Sequence, residues 1–236
     1  TSETGRKPRV RAYDRRTRKI AWELEHHACE PVSGRGDTAL VVTGSGELLA
    51  VSSTDGEQIW SVMLPHHPTT GAVFTQTLAI VGGEDGALIA LEMGDGTIAW
   101  QARLGESGAA IRGQALATQE HIFAATADGR IWCRTRAGVV VWSAKISGIP
   151  AVGLSVIGGT IVVGSSDRGV YALNTADGRH LWRYEAGGII RSTVAMTDQV
   201  VYVAGSAGML EALSLESGAQ IWSYELDGPV HTPVVL

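Results

Sequence analysis

Histidine residues stand in two adjacent pairs near the start of the chain, His26-His27 and His66-His67. Imidazole nitrogens are good ligands for zinc and nickel, so these four residues are candidate metal ligands. The pairs are 40 residues apart, which is the period of the repeat described below, so we expect both on one face of the fold. A metal site and solvated loops both fit this pattern. We favour solvated loops, and predict no bound metal and no cofactor.

A second group of side chains is suited to anion binding. Arg112, Arg191 and His231 fall in one column when the first strands of the repeats are aligned, and Thr70 occupies the same column. Cationic side chains around the mouth of a channel focus the electric field on small anions, and guanidinium groups pair well with carboxylates. We predict that these four residues bind an anionic metabolite or a carboxylate side chain of a protein partner. The alternative is that the arginines contact backbone carbonyls and water.

The sequence shows no comparable group of side chains suited to catalysis. Glu30 is almost the only carboxylate in the first strands, so calcium, which needs several oxygen ligands, would be poorly held. Cys133 occupies a small apolar position of the repeat, which indicates a buried structural thiol. Cys29 lies in another repeat, so we expect no disulfide between the two. We predict no catalytic residues.

Tryptophan residues define the elements that must position these side chains. Six of them recur at intervals of 38, 40, 42, 40 and 40 residues: Trp22, Trp60, Trp100, Trp142, Trp182 and Trp222. A fixed period near 40 residues indicates one supersecondary unit copied along the chain. We predict that each indole packs between neighbouring units, and that truncating one to alanine costs about 3–5 kcal/mol.

The stretch between the fourth and fifth of these tryptophans shows the strands of one unit. An apolar run at Ile149–Val156 and a β-branched run at Thr160–Gly164 precede strands at Val170–Asn174 and Arg179–Glu185. Glycine turns such as that at Gly178 join the strands as hairpins. Four-stranded antiparallel sheets at this period are the blades of a β-propeller. The predicted fold class is therefore all-β, with almost no helix.

The two chain ends fit one further blade. Val10–Asp14 reads as the third strand of a unit, and Gly228–Leu236 matches a first strand. We predict a six-bladed β-propeller closed by N- and C-terminal strands that share one blade, because closure removes two free sheet edges. Residues 1–236 then form a single domain, which we expect to be monomeric.

The segment that ends at each tryptophan has a recurring sequence, as in Ala172–Trp182 and Ala212–Trp222. It resembles the repeat of the pyrroloquinoline-quinone-type propellers, and the resemblance covers essentially the whole chain. WD40 repeats share the period but carry Asp after the tryptophan, which none of the six positions here does. The resemblance implies a propeller in one of three settings. These are a quinoprotein dehydrogenase, the scaffold lipoprotein of the bacterial outer-membrane barrel-assembly machine, and a sensor domain of a bacterial Ser/Thr kinase.

The resemblance to the enzymes stops at their cofactor site. Quinoprotein dehydrogenases hold a quinone and a calcium ion, and many carry a vicinal cysteine pair that is absent from this sequence. We predict a non-enzymatic propeller that binds a protein partner or a small anionic ligand, as the sensor or scaffold module of a larger bacterial protein such as a receptor-type Ser/Thr kinase. The alternative is a reduced quinoprotein-type or metal-dependent oxidoreductase. The family resemblance favours a periplasmic or cell-surface location.

Charge and hydropathy argue against a nucleic-acid partner and against a transmembrane segment. The chain has a net charge of −5, and its basic segment Arg6–Lys19 lacks the interleaved aromatic residues of a single-strand nucleic-acid binder. No apolar run approaches the roughly 18 residues that a transmembrane helix needs. We predict no nucleic-acid partner and no transmembrane segment.

Overall fold

A computed structural model describes residues 9–26, 28, 30–105, 108–230, 232 and 234. Regular structure within these ranges is β throughout, without a helix. The strands form one two-stranded hairpin and five four-stranded antiparallel sheets, which are called units 1 to 5. The all-β prediction is therefore confirmed, as is the four-stranded antiparallel unit.

Each unit is a meander of four consecutive strands, preceded in the chain by the N-terminal hairpin. The hairpin is β1 (Val10–Tyr13) and β2 (Ile20–Leu24). Unit 1 is β3 (Ser33–Arg35), β4 (Thr38–Val42), β5 (Glu47–Ser52) and β6 (Gln58–Met63). Unit 2 is β7 (Val73–Phe74), β8 (Leu78–Gly82), β9 (Ala87–Glu92) and β10 (Ile98–Arg103). Unit 3 is β11 (Leu116–Ala117), β12 (His121–Thr126), β13 (Arg130–Thr135) and β14 (Val140–Lys145). Unit 4 is β15 (Ser155–Ile157), β16 (Thr160–Gly164), β17 (Gly169–Asn174) and β18 (His180–Glu185). Unit 5 is β19 (Ala195–Met196), β20 (Val200–Ala204), β21 (Met209–Ser214) and β22 (Gln220–Glu225).

The hydrophobic core lies between successive units. Val42, Ala50 and Trp60 of unit 1 cluster with Ile89 and Leu91 of unit 2, and equivalent clusters join the later pairs of units. The sheets are therefore stacked face to face, and each of units 2 to 4 has one face toward the preceding unit and one toward the following unit.

A small residue stands opposite each tryptophan on the neighbouring strand. In unit 1 Ala50 pairs with Trp60, in unit 4 Ala172 pairs with Trp182, and Cys133 takes this place in unit 3. In all five units the pairing between the third and fourth strands shifts register directly after this residue pair. The short side chain leaves room beside the indole, which accounts for the small apolar position of the repeat that Cys133 occupies in unit 3.

The first strand of each unit is shorter than the sequence predicted. The apolar run Ile149–Val156 contains only the start of β15, and before it Pro150 makes an isolated bridge to Ser165. Proline has no N–H for a ladder, and Gly153 lies directly against Thr193 of unit 5. The first strand of each unit and the residues that lead into it, which we call the inner segment, are therefore irregular where neighbouring units meet.

The ends of the chain are described only in part. The hairpin β1–β2 confirms a strand near Val10–Asp14 but has no third or fourth strand among the described residues. Of Gly228–Leu236, the residues 231, 233 and 235–236 lie outside the described ranges, and the described ones contain no strand.

No helix with the length and apolar character of a membrane span is found in the described ranges.

Candidate functional site

Five tryptophans each join their own sheet to the next unit along the chain, and the first of them lies in the N-terminal hairpin. The indole N–H of Trp142 donates a 2.9 Å hydrogen bond to the carbonyl of Thr175, in the turn between the third and fourth strands of unit 4. The same bond is made by four other indoles at 2.8–2.9 Å: Trp22 to Ser53, Trp60 to Met93, Trp100 to Arg136 and Trp182 to Leu215. Each of these five indoles therefore bridges its own sheet and the following unit.

A glycine in each of these turns makes the indole contact possible. Gly178 has φ of +72°, and a Cβ atom there would lie 2.4 Å from Cε3 of Trp142. Glycine tolerates positive φ and leaves the space that the ring occupies. Four more turn glycines contact an indole in the same way: Gly56, Gly96, Gly138 and Gly218. We call the turn with its glycine and carbonyl acceptor the indole socket.

Trp222 of unit 5 differs from the other five. Its side chain is 42% exposed, whereas Trp60 and Trp142 are 7% and 8% exposed. No acceptor for its indole N–H is found within the described part of the chain. The inter-unit role predicted for Trp222 is therefore not seen among the described residues.

Residues from the inner segments of all five units line one cavity of about 730 Å³, which we call the axial cavity. Unit 3 supplies the stretch 110–117, and the other units supply residues on either side: Glu30, Pro31, Thr69, Val73, Val152, Gly153, Leu154 and Thr193. Hydrogen bonds between units hold the walls together: Ser33 Oγ donates to the carbonyl of Ala72, and Ser155 Oγ to that of Val194.

Arg112 is the predicted anion-binding residue that lines this cavity. Its backbone N–H is bonded to the carbonyl of Ala125. Its Nε atom is buried and has no hydrogen-bond partner, and no ion pair to its guanidinium is found among the described residues. An unpaired buried N–H is costly and uncommon in folded proteins, so Arg112 is the polar group of the cavity that lacks a partner.

The other members of the predicted column are placed differently. Arg191 is exposed and does not line the axial cavity. Thr70 is buried and its hydroxyl accepts a hydrogen bond from the N–H of Gly82. Thr69, not Thr70, has the register of Arg112, because its N–H bonds the carbonyl of Gly82 as that of Arg112 bonds Ala125. The alignment was thus one residue out in unit 2, and His231 lies outside the described residues.

Glu30 also lines the axial cavity, and burial raises the pKa of its carboxyl group. The sequence showed it as the isolated carboxylate of the first strands but gave no reason to place it with Arg112. Gln114 was not predicted either, although its amide lies 3.4 Å from Ser33 Oγ and joins unit 3 to unit 1. The sequence feature that could have identified both Glu30 and Gln114 is a polar residue within an otherwise apolar inner segment.

The histidine pairs do not form a cluster of metal ligands in the described residues. His66 Nδ1 lies 2.9 Å from Asp85 Oδ2, which also accepts a 2.7 Å bond from Arg103, and these contacts lower the pKa of Asp85. His67 Nδ1 lies 3.1 Å from the carbonyl of Pro68. His26 is half-buried, while His27 is outside the described ranges. No group of three or more His, Cys, Asp or Glu residues suited to a metal was found there.

Cys133 is fully buried, and desolvation raises the pKa of its thiol to about 12. A thiol with such a pKa is hardly ionised at neutral pH, so it is a poor nucleophile. This agrees with the structural role predicted for the residue. Cys29 lies outside the described residues.

Stacked four-stranded units joined by indole sockets around a common cavity define a β-propeller built from PQQ-like repeats. The chain belongs to the PQQ-like repeat family described as outer membrane protein assembly factor BamB, whose family model matches residues 6–152 and 136–235. This confirms the resemblance to pyrroloquinoline-quinone-type repeats. No curated protein matches the sequence significantly.

Two solved structures show the same fold. BamB from Moraxella catarrhalis superposes with a TM-score of 0.80 at 20% identity, over 98% of this chain and 74% of that one. The computationally designed Ika8 protein superposes with a TM-score of 0.82 at 15% identity, over 93% of this chain and 69% of that one. At these identities the likeness establishes the fold alone.

Proposed function

We propose that this chain is a non-enzymatic, protein-binding propeller that acts as a scaffold in the assembly of outer-membrane proteins. The observation that carries the proposal is its membership of a family described by an outer-membrane assembly factor, over residues 6–152 and 136–235. A location outside the cytoplasm, as the repeat resemblance predicted, is part of this proposal. The indole sockets support it, because they fix neighbouring units and so hold the loops in a constant arrangement.

The loops that lead into the inner segments of units 4 and 5 are the surface we propose for the partner. Ile149 and Val152 are 47% and 46% exposed there. The exposed Arg191 adjoins them, since its carbonyl accepts a hydrogen bond from Val152 N–H. Exposed apolar side chains beside an arginine are typical of protein interfaces, where arginine is enriched and often contributes strongly to affinity.

A photo-crosslinking experiment in the native bacterium tests this proposal. A photoreactive amino acid in place of Ile149, which does not line the axial cavity, should capture a component of the outer-membrane assembly machinery, and Arg191→Glu should weaken that capture. The control position is Val140, which is 47% exposed but lies on the outer strand β14. Capture of only a kinase polypeptide, or equal capture from both positions, would contradict the scaffold role.

A small anionic ligand is the second candidate, and the unpartnered Nε of Arg112 favours it. Of the other predicted binding residues, Arg191 and His231 are proposed to act at the mouth of the cavity. Thr70 stays a prediction, because its hydroxyl already accepts the Gly82 bond.

Three finer predictions from the sequence remain predictions. They are the sensor module of a receptor-type Ser/Thr kinase, the alternative of an oxidoreductase, and closure of six blades with strands from both chain ends in one blade. The monomeric state is a prediction as well, which sedimentation of the purified protein would test.

A further inference from the structure

We propose that the axial cavity binds an organic carboxylate with an apolar body, and that the Arg112 guanidinium holds its carboxylate group. This inference rests on the ligand-binding role given above as the second candidate, and it names the chemical class of the ligand.

The charge of the ligand follows from Arg112. Its Nε is buried without a partner, and a guanidinium is always protonated at physiological pH. A carboxylate offers two oxygen atoms in the plane that the guanidinium fork requires, so one ligand group satisfies the orphaned N–H and neutralises the charge. Within the described residues the molecule itself supplies no such acceptor.

The body of the ligand follows from the rest of the lining, which is mostly apolar: Val73, Ala110, Ile111, Ala115, Leu116, Ala117, Val152 and Leu154. The volume of about 730 Å³ lies within the range of about 300–1,000 Å³ that small-molecule sites have. An alkyl or aromatic body would remove this lining from water, which stabilises the complex in proportion to the apolar area buried.

Glu30 limits how many negative charges the ligand can carry. It is the carboxyl group among the described lining residues, and Arg112 is the matching cation. A ligand with two or more charges, such as inorganic phosphate, would meet one guanidinium and a second carboxyl group in the same cavity. We therefore assign the site to monocarboxylates rather than to phosphate or polycarboxylates.

Such a carboxylate has two sources: a free organic acid, or the C-terminal carboxylate of a polypeptide with an apolar last residue. Isothermal titration of the purified chain distinguishes them with two pairs of probes. The first pair is octanoate and its uncharged isostere octanamide. The second is a short peptide with C-terminal leucine, with its carboxylate free and amidated.

The matched variants are Arg112→Gln and Arg179→Gln. Both remove one arginine, but Arg112 lines the cavity, whereas Arg179 does not and its side chain is 69% exposed between β17 and β18. Arg112→Gln should weaken carboxylate binding by about 10- to 100-fold, the effect of losing a charged hydrogen bond. Arg179→Gln should leave the affinity unchanged. Arg112→Lys, which keeps the charge, should retain part of the affinity, and an unchanged thermal midpoint excludes a folding defect.

Binding of octanoate points to a free acid, and binding of the free peptide alone points to a polypeptide terminus; either result supports the proposal. It is overturned if neither carboxylate binds the wild-type chain, if octanamide binds as tightly as octanoate, if inorganic phosphate binds more tightly, or if Arg112→Gln has no effect. Because Ile149 lies outside the lining of the axial cavity, failure of its crosslink and failure of this site are separate outcomes.

Discussion

Units 3 and 5 both carry the repeat tryptophan on the face toward the next unit, yet among the described residues a following unit covers only that of unit 3. Trp142 is 8% exposed and its N–H is bonded to Thr175. Trp222 has the same place in its own sheet, opposite Ala212, but is 42% exposed. The indole is therefore buried by the neighbouring unit and not by its own sheet. Nearest-neighbour contacts of this kind are the rule in repeat proteins.

The turn of the N-terminal hairpin has an arginine where the indole sockets of the units have a glycine. Arg18, four residues before Trp22, stands where the units have a socket glycine, and it adopts φ of +57° with its N–H bonded to the carbonyl of Asp14. Gly56 makes the equivalent bond to Ser52. A Cβ atom at each of the five socket glycines would lie within 2.8 Å of an indole atom. The hairpin thus has the backbone of a socket but carries a side chain where the ring would pack.

Truncation of the two tryptophans should give the largest difference. Trp142→Ala should lower the free energy of unfolding by about 3–5 kcal/mol, because it empties a buried contact and orphans the Thr175 carbonyl. Trp222→Ala should cost less than about 1 kcal/mol, since the side chain has little buried contact to lose. Urea denaturation measures both. Equal losses would show that the face of unit 5 is covered in solution.

The socket glycine should give the next largest effect. Gly178→Ala should cost about 2–4 kcal/mol, because it adds left-handed backbone strain and a clash with Trp142. Gly158→Ala is the matched control: its φ is +54° and nothing lies within 4 Å of the added atom, so strain alone should cost about 1–2 kcal/mol. If the two variants lose the same stability, the ring contact is not the reason for glycine.

Tyr184 gives a smaller effect that depends on pH. On the covered face of unit 4 its hydroxyl donates to Glu211 Oε1 at 2.7 Å, and burial together with this carboxylate raises its pKa to about 12. In the unfolded chain a tyrosine hydroxyl loses its proton at about pH 10. Because the folded state keeps the Tyr184 proton up to a higher pH, the free energy of unfolding falls as the pH rises from 10 to 12.

Tyr184→Phe should flatten this loss of stability between pH 10 and 12, measured by urea denaturation across that range. Tyr224→Phe, at the equivalent but 64% exposed position of unit 5, should leave the loss as it is. An alkaline profile that changes equally in both variants would remove the distinction between the covered and open faces.

Arg18→Gly should have the smallest effect on stability. Relief of the left-handed strain at φ of +57° is offset by the greater freedom of glycine in the unfolded chain, so the net change should stay within about 1 kcal/mol. The informative readout is Trp222. If the substitution protects Trp222 from acrylamide quenching, the hairpin turn can serve as its socket, and the predicted closure by the two chain ends gains support.

The sequence predicted the fold better than the site, for a physical reason. Tryptophan spacing and glycine turns are local signals repeated in every unit, so the second, third and fourth strands of unit 4 lie within one residue of their predicted bounds. The axial cavity depends on inner segments that are irregular and differ between units. A shift of one residue moved Thr70 out of the column, and no local pattern placed Glu30 beside the same cavity as Arg112.

Fluorine NMR of the chain labelled with 5-fluorotryptophan tests most directly whether the following unit covers each indole. Single Trp→Phe variants assign the resonances, and the shift between H₂O and D₂O reports solvent contact. The structure predicts a large solvent shift for Trp222 and small shifts for Trp60 and Trp142. A Trp222 resonance as insensitive to solvent as that of Trp142 would contradict the account, because the last unit would then be covered like the others.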